Sequence, residues 1–309
     1  MPNNPKCNCI EKGVFSWCTS LEKITIPGNI IEIGERAFGD SGLKTIVLPD
    51  SVETMGKGSF EWCKNLTTVK LPNNPRCNCI EEGAFAGCEK LGGLTIPGNI
   101  TKICKIAFLW SGLKTIVLPD NVETMGEDSF GLCKNLTTVK FPNNPKYNCI
   151  GKKVFEGCKS LEKITLPDNI EAIEERAFSG SGLKTIVLPD GVKIIGEYAF
   201  SGCKKLTTVK LPSSLVYISN SAFYLSNNLR IVKIPVSLKR VEVDASEGRE
   251  TVSIKKLLPI IYAAIKREPL EIGAKFNSTK SNPDDKVIEF DLNSIRISRT
   301  WDFRRMFRF

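Results

Sequence analysis

A phenylalanine returns every 22 to 25 residues through the first 223 residues of this 309-residue chain. The recurring positions are Phe15, Phe38, Phe60, Phe85, Phe108, Phe130, Phe155, Phe178, Phe200 and Phe223. A period of this length is typical of a solenoid, in which each repeat buries its apolar side only against the neighbouring repeats. The period therefore predicts an elongated stack of about ten coils.

A longer repeat of 70 residues, present in three copies, is superimposed on this period. The segment PNNPKCNCI and its single-change variants stand at 2–10, 72–80 and 142–150. The segment SGLKTIVLPD is identical at 41–50, 111–120 and 181–190. The chain is thus predicted to divide into a solenoid at 1–240, made of three 70-residue super-repeats and a tenth coil, and a segment at 241–309 that lacks the repeat.

Each coil contains one predicted strand of the form Leu-x-x-φ-x-φ-Pro, where φ is apolar, as in LKTIVLP at 43–49. Side chains alternate along a strand, so Ile46 and Leu48 are predicted to face the core while Thr45 and Val47 face outward. The proline ends the strand because it has no N–H to donate. Equivalent strands about 5 Å apart predict a parallel β-sheet on one face of a right-handed array, with the phenylalanines stacked as a spine.

The repeat I-x-x-x-A-F-x-x-C-x-x-L-x-x-φ-x-φ-P, nearly complete at 80–97 and 195–212, resembles the BspA-like leucine-rich repeat family of bacterial and protist surface proteins. The resemblance covers about residues 2–240. It implies a curved leucine-rich repeat array that acts in adhesion or in binding host proteins, and it implies no catalytic residue. Such surface proteins usually carry an export signal, and MPNNPKCNC at the N-terminus is not of that type. A cytoplasmic member, a truncated copy and export by another route are the alternatives.

Composition excludes several classes of chemistry. The chain contains no histidine, which excludes Ser-His triads, histidine general bases and histidine-ligated metals. Its 43 basic and 34 acidic residues are spread along the chain. The longest apolar run near the C-terminus, 257–265, is about half the length of a membrane span. We therefore predict a non-enzymatic protein with no cofactor and no transmembrane segment; an enzyme residing in 241–309 is a remote alternative.

Eleven of the twelve cysteines fall into three groups by their phase in the repeat. Those three residues after a repeat phenylalanine are predicted to turn inward at a place that other coils fill with serine; they are Cys18, Cys63, Cys88, Cys133, Cys158 and Cys203. Cys7 and Cys77 align with apolar Val52. Cys9, Cys79 and Cys149 are predicted to face outward, three coils or roughly 14 Å apart, beyond disulfide range. No metal site is predicted, and exposed free thiols favour a reducing compartment.

The outward places of the predicted strands define the candidate binding face. Its residues are Lys23, Thr25, Thr45, Thr68, Lys70, Thr95, Thr115, Thr138, Lys140, Lys163, Thr165, Thr185, Thr208, Lys210 and Lys233. Threonine suits a strand, so structure alone explains part of this pattern. Lysine recurs every third coil and suits an acidic protein surface or an anionic polymer. The face has no aromatic residue, which disfavours nucleic acid and stacked sugars. Extended protein–protein contact is the leading interpretation.

The repeat phase breaks after Pro235. We predict a polar hinge or capping transition at 241–250, a helix at 254–268 and a strand at 287–292, which together would form a small α+β cap on the C-terminal end of the solenoid. The aromatic and basic tail at 299–309 is either an anchor for a membrane surface or anionic partner, or a segment docked on the cap. The first coil has no cap, which predicts end-to-end self-association or a truncated copy.

Two functional hypotheses follow. The family resemblance favours surface adhesion or antigen display through the strand face. The absence of an export signal and the free thiols favour an intracellular protein-interaction scaffold. The first hypothesis places the protein at the cell surface or outside the cell, and the second places it in the cytoplasm.

Overall fold

The computed structural model describes residues 7–219 and 221–229 in full, together with the backbone of four later strands. Within this described part the chain forms 21 β-strands and no helix. The predicted helix at 254–268 and the tail at 299–309 lie outside the described residues. The strands form two sets of parallel ladders, one of which was predicted.

The first ladder is built from the predicted Leu-x-x-φ strands. Its members are β3 (Thr45–Val47), β5 (Thr68–Lys70), β7 (Gly93–Thr95), β9 (Thr115–Val117), β11 (Thr138–Lys140), β14 (Thr185–Val187), β16 (Thr208–Lys210) and β18 (Ile231–Pro235). Neighbouring strands pair place for place, with Thr45 opposite Thr68 and Val47 opposite Lys70. Ile46 is buried and Val47 is 57% exposed, which confirms the predicted alternation.

A second parallel ladder, which the sequence analysis did not predict, lies just before each phenylalanine. Its strands are β1 (Cys9–Ile10), β2 (Glu32–Ile33), β4 (Thr54–Met55), β6 (Cys79–Ile80), β8 (Lys102–Ile103), β10 (Thr124–Met125), β12 (Cys149–Ile150), β13 (Ala172–Ile173), β15 (Ile194–Ile195) and β17 (Tyr217–Ile218). Each has two residues, too few to show an alternating pattern in the sequence. The second residue is buried in every one, so the ladder also contributes to the core.

The segment around each phenylalanine forms what we call the turn side. Overlapping turns direct alternate N–H groups to the next coil, so that the Phe15 N–H donates to the Ala37 carbonyl at 2.8 Å and the Phe38 N–H to the Ser59 carbonyl at 2.9 Å. The residues two before and two after each phenylalanine have positive φ in all ten coils. The turn side thus adds a third line of backbone bonds between coils.

The ten repeat phenylalanines form one continuous stack through the core. Successive rings have centroids 5.2 to 5.9 Å apart and planes within 17° of parallel. Their nine contacts join all ten coils and confirm the predicted spine. Truncating one buried ring to alanine costs about 3–5 kcal/mol in typical cores.

Both ladders are interrupted at the same two places, which we call the seams. The strands before the PNNP turn at 72–80 belong to different sheets from those after it, and the same holds at 142–150. These turns contain two more residues than the equivalent turns of other coils. Side chains tie each seam: Asn99 Nδ2 donates to the carbonyls of Asn74 and Cys77 at 2.9 and 2.6 Å.

Two coils depart from the predicted strand pattern. The segment at 163–165, directly after the second seam, is not a strand, although its sequence fits the pattern. Lys23 in the first coil forms only a single bridge, to Thr45. In the seventh coil the seam removes the preceding partner strand, but the seam alone does not account for the missing strand, because β7 also follows a seam and still pairs with β9.

The C-terminal segment contains one predicted strand and one unexpected hairpin. β21 (Val287–Asp291) confirms the strand expected at 287–292 and pairs antiparallel with β18. Of the two alternatives for 241–250, the hinge is wrong, because β19 (Arg240–Ala245) and β20 (Gly248–Val252) form an antiparallel hairpin that continues the second ladder. Its polar composition concealed the alternation in VEVDA, a strand signal. The division of the chain at residue 240 stays a prediction.

The corner after the phenylalanine requires glycine in three coils. The 22-residue coils have one residue fewer between phenylalanine and leucine than the other coils. A Cβ on Gly112 would lie 2.0 Å from the Glu89 carbonyl oxygen, and the same collision exists at Gly42 and Gly182. The shortened corner therefore brings two backbones closer than any side chain allows.

Replacing Gly112 by alanine is expected to lower the free energy of unfolding by about 1–3 kcal/mol, because the backbone must move to admit the methyl group. Urea unfolding followed by circular dichroism measures this. Gly93→Ala is the matched control, since nothing lies within 4 Å of the added Cβ and φ is not positive there. Equal losses in both variants would contradict the close-approach explanation.

Candidate functional site

The strand face consists of the outward places of the first ladder. Of the fifteen residues predicted for it, twelve are exposed and two, Thr45 and Thr208, are half-buried. The backbone of Lys233 pairs with Lys210, and its side chain lies outside the described part. The common register of the strands places the described members side by side on one surface.

Along one row of this face, the residue type repeats every three coils. The predicted binding residues did not include the apolar members of this row. Reading from coil to coil, the row contains Thr25, Val47, Lys70, Thr95, Val117, Lys140, Thr165, Val187 and Lys210. The three valines are 55 to 61% exposed. The alternation already placed them outward, but their apolar side chains were not counted as binding residues. Each cation is therefore preceded in the row by an exposed apolar residue and a hydroxyl.

The strand face is positively charged and lacks acidic residues over the coils that the structure describes. Its five described lysines are Lys23, Lys70, Lys140, Lys163 and Lys210, and none of them is in an ion pair with another described residue. Many lysines elsewhere have acidic partners, such as Lys153 with Glu127 at 2.9 Å on the turn side. The uncompensated charge gives this face a positive field that favours acidic partners.

The seams open two grooves in the strand face. At the second seam, β11 and the unpaired segment 163–169 border a groove of about 980 Å³ that contains Lys140 and Lys163. At the first seam, β5, β7 and β9 border a groove of about 660 Å³. The face is therefore a parallel sheet divided by two recesses rather than a flat surface.

The thiols of the buried inward cysteines hydrogen-bond to the carbonyl groups of the repeat phenylalanines. Cys63 Sγ donates to the Phe38 carbonyl at 3.0 Å, and Cys133 Sγ donates to the Phe108 carbonyl at 3.1 Å. Ser226 makes the same bond with its hydroxyl, to Phe200 at 2.6 Å. Five of the six cysteines at this place are buried, whereas Cys18 in the first coil is half-buried.

Two groups of other cysteines differ in exposure from what their places in the repeat suggest. Cys77 is buried as expected, but its counterpart Cys7 is exposed because no described coil lies before it. Cys9, Cys79 and Cys149 are half-buried rather than exposed, because each begins a strand of the second ladder and the next coil covers part of the side chain.

None of the cysteines with a shifted pKa is activated. Burial raises the pKa of Cys63, Cys133 and Cys203 to about 11. Burial and a hydrogen bond to Glu81 raise the pKa of Cys79 to about 12. A higher pKa means less thiolate at neutral pH, and thiolate is the nucleophile and metal ligand. Among the described residues, no three histidine, cysteine or acidic side chains converge as a metal site, and no helix is long and apolar enough to cross a membrane.

Comparisons with known proteins agree with this geometry. The profile of the BspA type leucine rich repeat region matches six copies over residues 2–110, 65–181 and 133–253. A leucine-rich repeat protein from Bacteroides ovatus is 21% identical with a TM-score of 0.50, over 72% of this chain and 83% of that chain. The pneumococcal vaccine antigen PcpA is 22% identical with a TM-score of 0.48, over 77% and 72%. None of the curated proteins compared with the chain matches it. Structural similarity at this identity shows the fold alone.

Replacing Cys133 by serine is expected to reduce the loss of stability at alkaline pH. The pKa of this thiol rises from an ordinary 9.0 to about 11 on folding, so its stabilising contribution is complete below pH 9 and is lost as the pH rises towards 11. Serine does not titrate there and keeps the hydrogen bond, as Ser226 shows. Between pH 8 and 10.5 the free energy of unfolding in urea should fall by about 1–2 kcal/mol less in the variant. The same fall in both proteins would contradict the assignment.

Proposed function

Because this chain belongs to the BspA-type leucine-rich repeat family, whose profile covers residues 2–253, we propose that it is a non-catalytic scaffold that binds a protein partner on its strand face. The observation that carries the proposal is the charge of that face. Its five described lysines are exposed and lack acidic partners, whereas charges on the turn side are largely paired between coils. Unpaired surface charge of one sign is a cost in an isolated protein and an advantage in a complex.

The proposed partner is a protein with an extended acidic surface. Lysines at equivalent places recur three coils apart, roughly 14 Å, so a partner meets several of them only if it lies along the solenoid axis. Exposed valines beside them supply apolar contact, and the threonines supply hydroxyl groups for hydrogen bonds. Lys140 and Lys163 lie in the larger of the two grooves described above.

We place this contact in surface adhesion or antigen display, as the family resemblance suggests. Free thiols were one of the two arguments for the alternative, an intracellular scaffold; the other was the absence of a recognisable export signal. The structure weakens the first argument, because six of the twelve cysteines are buried and only Cys7 is exposed. Buried thiols with raised pKa values react slowly and persist where exposed thiols would oxidise.

Reversing the charge of Lys70, Lys140 and Lys210 to glutamate is expected to weaken binding to immobilised acidic extracellular proteins about tenfold, since each exposed charge contributes roughly 0.5 kcal/mol and reversal adds repulsion. Surface plasmon resonance of the full chain against a panel of acidic and basic proteins measures this. Raising the salt concentration should likewise weaken the binding of the unmodified protein to acidic proteins.

The matched control reverses Lys102, Lys159 and Lys204, which are exposed, lie off the strand face and are in no ion pair with a described residue. This control changes the net charge by the same amount, and its affinity should stay within twofold of that of the unmodified protein. Equal weakening by both triple variants would show that net charge, not the strand face, governs binding. Retention of full binding by the strand-face variant would remove that face as the site.

A further inference from the structure

The super-repeats differ most visibly at one place, two residues after each repeat phenylalanine. In chain order this place holds Trp17, Asp40, Trp62, Gly87, Trp110, Leu132, Gly157, Gly180, Gly202 and Leu225. All ten residues have positive φ. The third super-repeat fills all three of its places with glycine, the residue that adopts this conformation without cost. The fold therefore does not need a side chain here.

Three of the chain's four tryptophans nevertheless stand at this place. Trp17, Trp62 and Trp110 have φ of 62°, 58° and 58°. An L-residue in this region costs roughly 1–2 kcal/mol relative to its preferred conformations. Trp110 is 45% exposed, so burial of its ring offsets only part of that cost. Bulky residues held in such a conformation cluster at functional sites, so the tryptophans call for an explanation beyond folding.

Two of these tryptophans form a cleft on the turn side. Trp62 from the third coil and Trp110 from the fifth meet across Gly87 of the coil between them, with ring centroids 5.6 Å apart and planes inclined by 59°. A Cβ on Gly87 would lie 2.4 Å from the Trp62 ring, so glycine is what lets the two indoles meet. The cleft has a volume of about 390 Å³, within the usual range of roughly 300–1,000 Å³ for small-molecule sites.

The backbone N–H groups of the two tryptophans are already paired. The Trp62 N–H donates to the Ala86 carbonyl at 2.7 Å, and the Trp110 N–H donates to the Gly131 carbonyl at 2.9 Å. A ligand must therefore be recognised by the ring faces and by side chains. Peptide recognition by strand addition needs free main-chain groups, which these two tryptophans do not offer.

The rim of the cleft supplies polar side chains and one unpaired cation. Glu89, Lys134 and Asn135 line it beside the two rings. Lys64 lies 5.7 Å from the Trp62 centroid and 3.7 Å from Glu89, so those two charges offset each other. Lys134 is exposed and is in no ion pair with a described residue. The cleft thus combines aromatic faces, groups that bond hydroxyls, and a net positive charge.

We propose that the Trp62–Trp110 cleft binds a sugar ring that carries a carboxylate. The apolar C–H face of a pyranose matches the exposed indole of Trp110, its hydroxyls match Asn135 and Glu89, and its carboxylate matches Lys134. The site lies on the turn side and is independent of the function proposed for the strand face. It also lies outside the face for which the sequence analysis disfavoured stacked sugars.

Isothermal titration calorimetry of the full chain with three saccharides tests the proposal. The probes are 3′-sialyllactose and a hyaluronan tetrasaccharide, which carry carboxylates, and lactose, the neutral core of the first. At least one acidic saccharide is expected to bind saturably and at least tenfold more tightly than lactose. The proposal is overturned if neither acidic saccharide binds. It is also overturned if an acidic proline-rich peptide, titrated as a fourth probe, binds and the saccharides do not.

Variants copied from the chain's own repeats locate the site. Trp110→Gly reproduces Gly180 of the third super-repeat and should abolish binding while leaving the melting temperature unchanged or higher. Trp17→Gly removes a tryptophan at an equivalent place outside the cleft and should bind as the unmodified protein does. Unchanged binding by the Trp110 variant overturns the assignment.

A charge variant distinguishes recognition of the carboxylate from stacking on the tryptophans. Its result can be interpreted whether or not the glycine variants fold. Lys134→Gln changes only an exposed side chain. It should weaken the binding of the acidic saccharide about tenfold, while any weak binding of lactose stays the same. Equal affinity of this variant and the unmodified protein for the acidic saccharide would show that the carboxylate is not recognised.

Discussion

The stacking of one coil on the next, with phenylalanine rings 5.2 to 5.9 Å apart, is the constraint on which the rest of the structure depends. No coil has a core of its own, so each depends on its neighbours for burial and for its backbone hydrogen bonds. The same spacing arranges surface residues into rows. A residue type that recurs in the repeat becomes a continuous surface property, as with the lysines and valines of the strand face.

The spine and the first ladder could be predicted because their signals are repeated many times. Phenylalanine recurs ten times, and each Leu-x-x-φ strand shows inward and outward places directly. The second ladder could not be predicted in this way, since two-residue strands such as Glu32–Ile33 have no period to detect. The missing strand at 163–165 has the same pattern as its neighbours, and its place after a seam does not set it apart, because Gly93–Thr95 also follows a seam and is a strand.

The two candidate sites differ in how far the sequence revealed them. The strand face follows from side-chain alternation, so its lysines and threonines were identified in advance, although the exposed valines between them were overlooked. The Trp62–Trp110 cleft depends on residues 48 positions apart that meet only because Gly87 intervenes with a positive φ of 70°. A sequence pattern shows neither the left-handed conformation nor the contact across an intervening coil. The clue that was available was the divergence of otherwise similar repeats at this one place.

The seams divide the solenoid into mechanical blocks. Between seams, neighbouring coils are joined by the second ladder, by the turn side and, outside the first and seventh coils, by the strands of the first ladder. Across a seam, the turn-side bonds and the ring stack continue, as from Phe60 to Ala84 and from Phe130 to Val154. A pulling force therefore meets its weakest resistance at the two PNNP turns. Each 70-residue block that opens releases up to about 240 Å of extended chain. A protein held between two attachment points would lengthen in steps of that size instead of breaking its hold at once.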